Sequence, residues 1–155
     1  MQLGTLVGAD AVKVINTCSS KKRLFHELGE LASSCYGVDA GTVVDALIDR
    51  EALGPTGVGH GVALPHARLD GLDRVVGLFM MVEKPLDFEA VDRQPVDLVF
   101  ALLAPTDAGV DHLKALALVS RTLRDKSVCT KLRANADATT LHMILTEASS
   151  SNKAA

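Results

Sequence analysis

Val96-Asp97-Leu98-Val99-Phe100-Ala101-Leu102-Leu103 is an almost continuously apolar stretch, interrupted only by one aspartate. A second stretch, Arg74 to Glu83, is equally dense in Val, Leu and Phe. Short apolar runs bounded by Gly, Pro, Asp or Gln are typical of strands that are buried on both faces. The two stretches therefore predict the centre of one β-sheet.

Helical periodicity precedes these strands. Ser19 and Ser20 are good caps for a helix that begins near Lys21, and Asp39 is a good cap for a second helix that ends near Leu53. Both segments carry apolar residues at the three- and four-residue spacing of a buried helix face. A short strand is predicted upstream of both, over Ala11 to Ile15.

Helical periodicity also follows the strands. A helix is predicted to open at Asp111, with Leu113, Leu116 and Leu123 on its apolar face. Shorter helices are predicted over Val128 to Arg133 and Ala138 to Thr146. Helices before, between and after the strands predict an α/β fold in which a mixed sheet lies between helices on both sides. We expect a single domain over residues 1–148 and a disordered tail over 149–155.

Composition narrows the classes of function. The net charge of -3 and an aromatic content of 3% argue against a nucleic-acid surface, which needs clustered cations and stacking rings. The three cysteines are scattered and form no CxxC pair, so they predict neither a disulfide framework nor a zinc knuckle. No signal-like segment or run long enough to span a bilayer is recognisable, so we expect a cytoplasmic protein without membrane insertion.

His66 is the first candidate for chemistry. It follows Pro65 at the end of the strand-like run Val62-Ala63-Leu64, so its ring is expected at the rim of the sheet on a backbone with one torsion already fixed. A neutral imidazole is a nucleophile near physiological pH and can accept a phosphoryl group without a cofactor. The alternative, common for a lone histidine, is a structural or surface residue.

The segment before His66 is unusually rich in glycine. Gly57, Gly59 and Gly61 allow a tight loop whose NH groups converge on phosphate oxygens, although a plain tight turn explains the glycines equally well. The GxGxG spacing, between a predicted helix and an extended run, is not a dinucleotide fingerprint, and the segment lacks the Gly-Lys-Ser or Gly-Lys-Thr of a Walker loop.

Two further side chains are candidates for holding phosphate. His112 is expected in the first turn of a helix, where the positive end of the helix dipole disfavours the imidazolium. Arg50 offers a planar fork suited to phosphate oxygens. Each has an ordinary alternative as an exposed helical residue. His60, His66 and His112 lack the neighbouring Cys, Asp or Glu spacing of zinc ligands, so no metal site is predicted.

Thr56-Gly57-Val58-Gly59-His60-Gly61-Val62-Ala63-Leu64-Pro65-His66-Ala67-Arg68 resembles the active-site signature of the enzyme IIA family of the bacterial phosphotransferase system, fructose and mannitol superfamily. The stretches Pro85 to Phe88 and Asp92 to Pro105, followed by His112-Leu113, resemble its nitrogen-related branch in particular. The resemblance covers about Lys13 to Leu145.

The resemblance implies a phosphotransferase of that fold with a phosphohistidine intermediate at His66 and no cofactor. His112 and Arg50 match the second histidine and the arginine that help to hold the phosphoryl group. The phosphate loop is assigned by the same resemblance to Thr56, Gly57, Gly59, His60 and Gly61. His60 departs from the pattern, because the family commonly carries another polar residue there, often Asn.

The resemblance also implies partners. The phosphoryl donor is expected to be a phosphorylated histidine carrier protein, itself charged by an enzyme I homologue. Proteins of the nitrogen-related branch regulate partners that include potassium transporters, sensor kinases and stress-response proteins. Two alternatives remain open: a sugar-uptake component that donates phosphate to a IIB partner, and a non-catalytic interaction domain.

Overall fold

A computed structural model describes the backbone of residues 1–154 and the side chains of residues 1–148. The helices are α1 (Leu3–Leu6), α2 (Lys21–Tyr36), α3 (Ala40–Glu51), α4 (Val110–Arg124), α5 (Lys126–Arg133) and α6 (Ala138–Ala154). The strands are β1 (Val12–Ile15), β2 (Gly57–Gly59), β3 (Val62–Ala63), β4 (His66–Leu69), β5 (Val76–Leu86) and β6 (Val96–Pro105).

The sheet is mixed and is built around β6. Strand β5 pairs antiparallel with one edge of β6, and β1 extends the sheet by pairing parallel with β5. The other edge of β6 pairs in parallel first with β3 and then with β4, while β2 pairs antiparallel with β3. Two consecutive short strands therefore share one edge of the central strand.

Continuous burial of the central strands confirms the predicted α/β fold with helices on both sides. Every residue from Val76 to Val82 and from Leu98 to Pro105 is buried, which requires cover on both faces of the sheet. Helices α2 and α3 pack together, with α2 against β5 and α3 against β4; α4 packs against β6 and α6 against β1.

The predicted caps of α2 and α3 are confirmed. Ser20 accepts a hydrogen bond from the backbone NH of Arg23, and Asp39 accepts one from the NH of Thr42. Gly37 closes α2 in the left-handed region, with φ of 70°. These local signals fix where α3 begins, and its length then carries Arg50 to the edge of β4.

Helix α4 differs from its prediction in two ways. It begins at Val110 after Gly109, so Asp111 lies within the first turn and is not the cap. Leu123 is buried and Leu116 packs against the core as predicted, but Leu113 is 65% exposed, and His112 and Ala115 are buried in the first turns. The prediction placed Leu113 on the buried face of α4. In the structure the preceding residue, His112, points inward and Leu113 points to solvent.

The glycine-rich segment contains more regular structure than predicted. Gly57–Gly59 form β2, and their hairpin with β3 is irregular, because the register shifts between Gly57 and Gly59. Gly57 lies against Ala90: a Cβ at Gly57 would come within 2.7 Å of the Ala90 Cβ. The absence of a side chain therefore allows a strand where glycine content alone predicts none.

The last helix is longer than predicted. Helix α6 is assigned through Ala154, beyond the predicted end at Thr146. No glycine or proline follows Thr146, so nothing in the sequence stops the helical backbone there. The side chains of 149–154 and the whole of Ala155 lie outside the described part of the chain, and the disorder expected over 149–155 stays a prediction.

Candidate active site

His66 is the first residue of β4, at the point where the edge of β6 passes from β3 to β4. The carbonyl of Pro65 accepts a hydrogen bond of 2.9 Å from the backbone NH of Leu102, and His66 itself is aligned with Leu102. Proline lacks an NH and has a fixed φ, so it separates β3 from β4 without moving the chain off β6. The His66 ring is thereby half-buried on a backbone held by the central strand.

Two hydrogen bonds determine the tautomer of His66. Nδ1 lies 2.9 Å from the carbonyl oxygen of Leu64, which can only accept, so Nδ1 carries the proton. Arg50 Nε donates to His66 Nε2 at 3.2 Å, and a guanidinium has no acceptor, so Nε2 carries the lone pair. The ring is therefore neutral, and Nε2 is its nucleophilic atom.

The surroundings of His66 favour this neutral form. Burial lowers the pKa of His66 below its ordinary value, and the nearby charge of Arg50 lowers it further. The Leu64 carbonyl and Glu51 act in the opposite direction, but the net shift is downward. The His66 imidazole is consequently deprotonated at neutral pH, as a nitrogen nucleophile must be.

Arg50 reaches His66 from the last turn of α3. Its Nη1 donates to the carbonyl oxygen of Gly54 at 3.0 Å, while its Nε faces His66. A cation is also favoured at this position, because the carbonyl end of a helix is negative. The guanidinium is thus fixed by the helix end and the following turn, with one edge directed at the reactive nitrogen.

His112 completes a cluster of three. Its ring is only 7% exposed, and its centroid lies 5.5 Å from that of His66 with the two planes at 67°. Its Nε2 is buried and has no hydrogen-bond partner among the described side chains and backbone. The pKa of His112 is lowered chiefly by burial and then by repulsion from His66, when that ring is protonated, and from Arg68; these causes differ from the helix dipole expected from the sequence.

A buried carboxylate beside Arg50 was not identified from the sequence, where it read as part of a solvated helix end. Glu51 accepts hydrogen bonds from the hydroxyl and the backbone NH of Thr56, and its Oε2 lies 3.0 Å from Lys21 Nζ. This network ties the end of α3 to the start of β2 and to α2. Adjacency of Arg50 and Glu51 is its only sequence signal, and that signal is weak.

The residues that the resemblance assigns to a phosphate loop lie on the β2–β3 hairpin and directly before it. Thr56 directs both its hydroxyl and its NH at Glu51, so neither is free for a phosphate. Gly61 accepts from the backbone NH groups of Asp97 and Leu98, whereas Pro65 accepts from Leu102. Leu98 and Leu102 are four residues apart on β6, so Gly61 lies about 13 Å along this strand from the position of His66.

The turn itself is held by other partners. Gly59, His60 and Gly61 all have positive φ, at 103°, 57° and 79°. The NH of His60 donates to Asp92 Oδ2 at 2.9 Å, and the carbonyl of His60 accepts from Arg133 Nη2 at 2.8 Å. These contacts occupy the backbone NH and carbonyl of His60, and a phosphate-binding role for the segment stays a prediction.

The described residues contain neither a metal cluster nor a membrane-spanning helix. No three His, Cys, Asp or Glu side chains in that part of the chain are arranged to hold a metal ion. None of its helices is both long and apolar enough to cross a bilayer.

Comparisons with known proteins agree with the geometry. Residues 5–148 match the family described as phosphoenolpyruvate-dependent sugar phosphotransferase system, EIIA 2. The chain is 46% identical to a nitrogen regulatory protein of Bradyrhizobium diazoefficiens, covering 94% of this chain and 95% of the relative. It is 39% identical to the nitrogen regulatory protein of Escherichia coli, covering 95% and 91%.

The fold is similar to that of the nitrogen regulatory protein IIA-Ntr from Neisseria meningitidis. The two superpose with a TM-score of 0.85 at 35% identity, over 93% of this chain and 99% of the other. Its helices and mixed sheet thus have the arrangement of a IIA protein over nearly the whole length. The chain belongs to the EIIA 2 family of the phosphoenolpyruvate-dependent sugar phosphotransferase system.

Proposed function

We propose that this chain is a phosphocarrier of the nitrogen-regulatory type, in which Nε2 of His66 accepts a phosphoryl group from a phosphorylated histidine carrier protein. The observation that supports the proposal is the hydrogen-bonded state of His66. Its proton is on Nδ1, and its Nε2 lone pair faces Arg50 beside the unpartnered Nε2 of His112. The output is regulatory and cytoplasmic, in line with relatives named nitrogen regulatory proteins.

The transfer exchanges one nitrogen–phosphorus bond for another. As the lone pair of His66 Nε2 forms the new bond, the bond in the donor breaks and its electron pair returns to the donor imidazole. The His66 ring gains positive charge, which the Leu64 carbonyl stabilises through the Nδ1 proton. No proton has to leave His66 during the step.

Arg50 and His112 supply charge and positioning. Arg50 gives up its hydrogen bond to Nε2 when that atom attacks, and its donors are then next to the incoming phosphoryl oxygens. His112, when protonated at Nε2, offers a neutral hydrogen bond from the other side of His66. Such preorganised donors supply most of the catalysis in phosphoryl transfer, where the protein itself does little covalent chemistry.

Exposed apolar residues around the site support a protein as the donor. Leu53, just beyond Arg50, is 84% exposed, and Val110 and Leu113 on the first turn of α4 are 62% and 65% exposed. Apolar side chains left uncovered on both sides of a reactive group are typical of a surface that docks another protein.

The proposal is tested by phosphoryl uptake. The chain is incubated with enzyme I, the histidine carrier and phosphoenolpyruvate, and its intact mass is measured at neutral or alkaline pH. One phosphoryl group is expected on the wild type and on His26→Ala, an exposed histidine far from the cluster in sequence, and none on His66→Ala. Labelling that persists in His66→Ala, or its absence from the wild type with donors proven active on another acceptor, would refute the proposal.

A further inference from the structure

A cavity of about 650 Å³ lies between the β2–β3 hairpin and helices α4 and α5. Its size is that of a site for a small organic molecule, for which 300 to 1,000 Å³ is usual. On α4 it begins at Ser120, eight residues and so about 12 Å beyond His112. The cavity is therefore separate from the cluster around His66, and neither Arg50 nor His112 lines it.

The inner part of the cavity is apolar. Val62, Leu64, Leu123 and Cys129 line it, and each of these residues is buried. Val58, at the outer part, is 49% exposed. Surface of this kind, with aliphatic and no aromatic lining in the described chain, favours an apolar body that fits by shape.

The outer part of the cavity is cationic. Arg124, Lys126 and Arg133 line it together with His60, while no Asp or Glu is among the described lining residues. Arg133 is neutralised by Asp97 at 2.8 Å, but Arg124 and Lys126 have no ion-pair partner in the described part of the chain. Arg124 and Lys126 therefore give the outer part of the cavity a positive charge that favours an anion.

We propose that this cavity binds a small organic anion, a carboxylate, sulfonate or phosphate joined to an apolar body. The body lies against Val62, Leu64 and Leu123, and the charged group faces Arg124 and Lys126. His60, the residue that departs from the family's signature, adds a hydrogen-bonding ring at the same rim. The site is also joined to His66, because Leu64 contributes both cavity lining and the carbonyl that binds His66 Nδ1.

The test uses 8-anilinonaphthalene-1-sulfonate as the probe, because it combines an aromatic body with a sulfonate and fluoresces when its surroundings are apolar. Titration of the full-length wild-type chain is expected to give saturable binding at one site. The double variant Arg124→Gln/Lys126→Gln is expected to bind about fivefold to tenfold more weakly, since each exposed ion pair contributes only modestly.

The matched control is Lys114→Gln/Arg121→Gln, which removes the same charge from exposed positions on α4 that do not line the cavity. Its affinity for the probe is expected to stay within about twofold of wild type, given the screening of distant surface charges. N-phenyl-1-naphthylamine, which lacks the sulfonate, is expected to bind both double variants equally. Ser120→Phe, which fills the cavity without changing charge, should weaken both probes.

Equal weakening of sulfonate binding by the two double variants would overturn the proposal, as would full binding by a folded Ser120→Phe variant. The absence of saturable fluorescence from the wild type would overturn it as well. The experiment contains no phosphoryl donor, so its outcome is independent of the proposed carrier function.

Discussion

The two ends of the segment that runs from the glycine turn to His66 differ in how completely their polar groups are paired. At the turn, the NH of His60 binds Asp92, its carbonyl binds Arg133, and the Gly61 carbonyl accepts from two backbone NH groups. At the other end, His66 Nε2 accepts a hydrogen bond from Arg50, and His112 Nε2 is buried with no hydrogen-bond partner in the described part of the chain.

The difference suggests different roles for the two ends of the segment: the glycine turn stabilises the fold, and the His66 end carries the reactive groups. At the turn, the paired backbone groups of His60 and Gly61 lower the free energy of the folded chain. At the His66 end, a buried nitrogen without a hydrogen-bond partner in the described part of the chain costs stability, and a hydrogen bond to a ligand would offset that cost. Substitutions at the two ends are therefore expected to change either phosphoryl uptake or the free energy of unfolding.

Replacement of Arg50 by lysine should have the largest effect, and on phosphoryl uptake. Lysine keeps the charge but cannot hold Gly54 and His66 at once with a rigid fork. We expect uptake, followed by mass at successive times, to slow about 100-fold, the usual cost of losing one preorganised donor. Arg121→Lys, an exposed match on α4, should behave as wild type. If Arg50→Lys took up the phosphoryl group at a rate within threefold of wild type, the Arg50 guanidinium would not be the donor that the transfer requires.

Replacement of Gly61 by alanine should affect stability and not uptake. The Gly61 φ is +79°, and an added Cβ would crowd Arg133 Nη2 and come within 2.8 Å of Asp97 Oδ1. Left-handed strain together with this crowding should lower the free energy of unfolding by about 2 kcal/mol, measured by urea denaturation.

Gly71→Ala is the matched control, since Gly71 has φ of +90° with nothing within 4 Å of an added Cβ. It should lose only the left-handed strain, about 1 kcal/mol. An equal loss of unfolding free energy in the two variants would show that the Arg133 and Asp97 side chains move aside for the added Cβ without a measurable cost. A large loss of phosphoryl uptake in Gly61→Ala would contradict this prediction and would mean that the turn takes part in phosphoryl transfer.

The smallest effect is expected from pH. His66 and His112 both have a pKa below the ordinary 6.5, so below pH 6.5 the unfolded chain binds more protons than the folded one. The free energy of unfolding should therefore fall as pH drops from 6.5 towards 5, a range above the titration of ordinary carboxylates. The double variant His66→Gln/His112→Gln should show a shallower fall; an unchanged slope would contradict these pKa directions.

Local signals predicted the parts of the fold that local chemistry determines. Ser20 and Asp39 cap their helices as expected, and the apolar density of β5 and β6 placed them at the centre of the sheet. The prediction placed Leu113 and not His112 on the buried face of α4, because both residues are compatible with helical spacing. Only the packing of His112 against His66 decides which of them points inward.

The candidate site also contains residues that local sequence predicts and residues that only the three-dimensional structure identifies. The sequence predicts His66 from its place after Pro65 and offers Arg50 and His112 as candidates, which the resemblance matches to a phosphoryl site; the structure brings the three side chains together. The assignment of the glycines to a phosphate stays a prediction. Asp92 and Arg133, which hold the glycine turn, are 32 and 73 residues from His60, and no local pattern encodes such pairs.

The shared edge of β6 also limits which changes in chain length the protein can accept. Ala63 is aligned with Val99 and His66 with Leu102, so both chains advance by three residues between β3 and β4. An insertion or deletion of one residue there would turn His66 to the opposite face of the sheet, away from His112 and Arg50. The spacing between the hairpin and His66 is therefore as much a part of the site as the three side chains themselves.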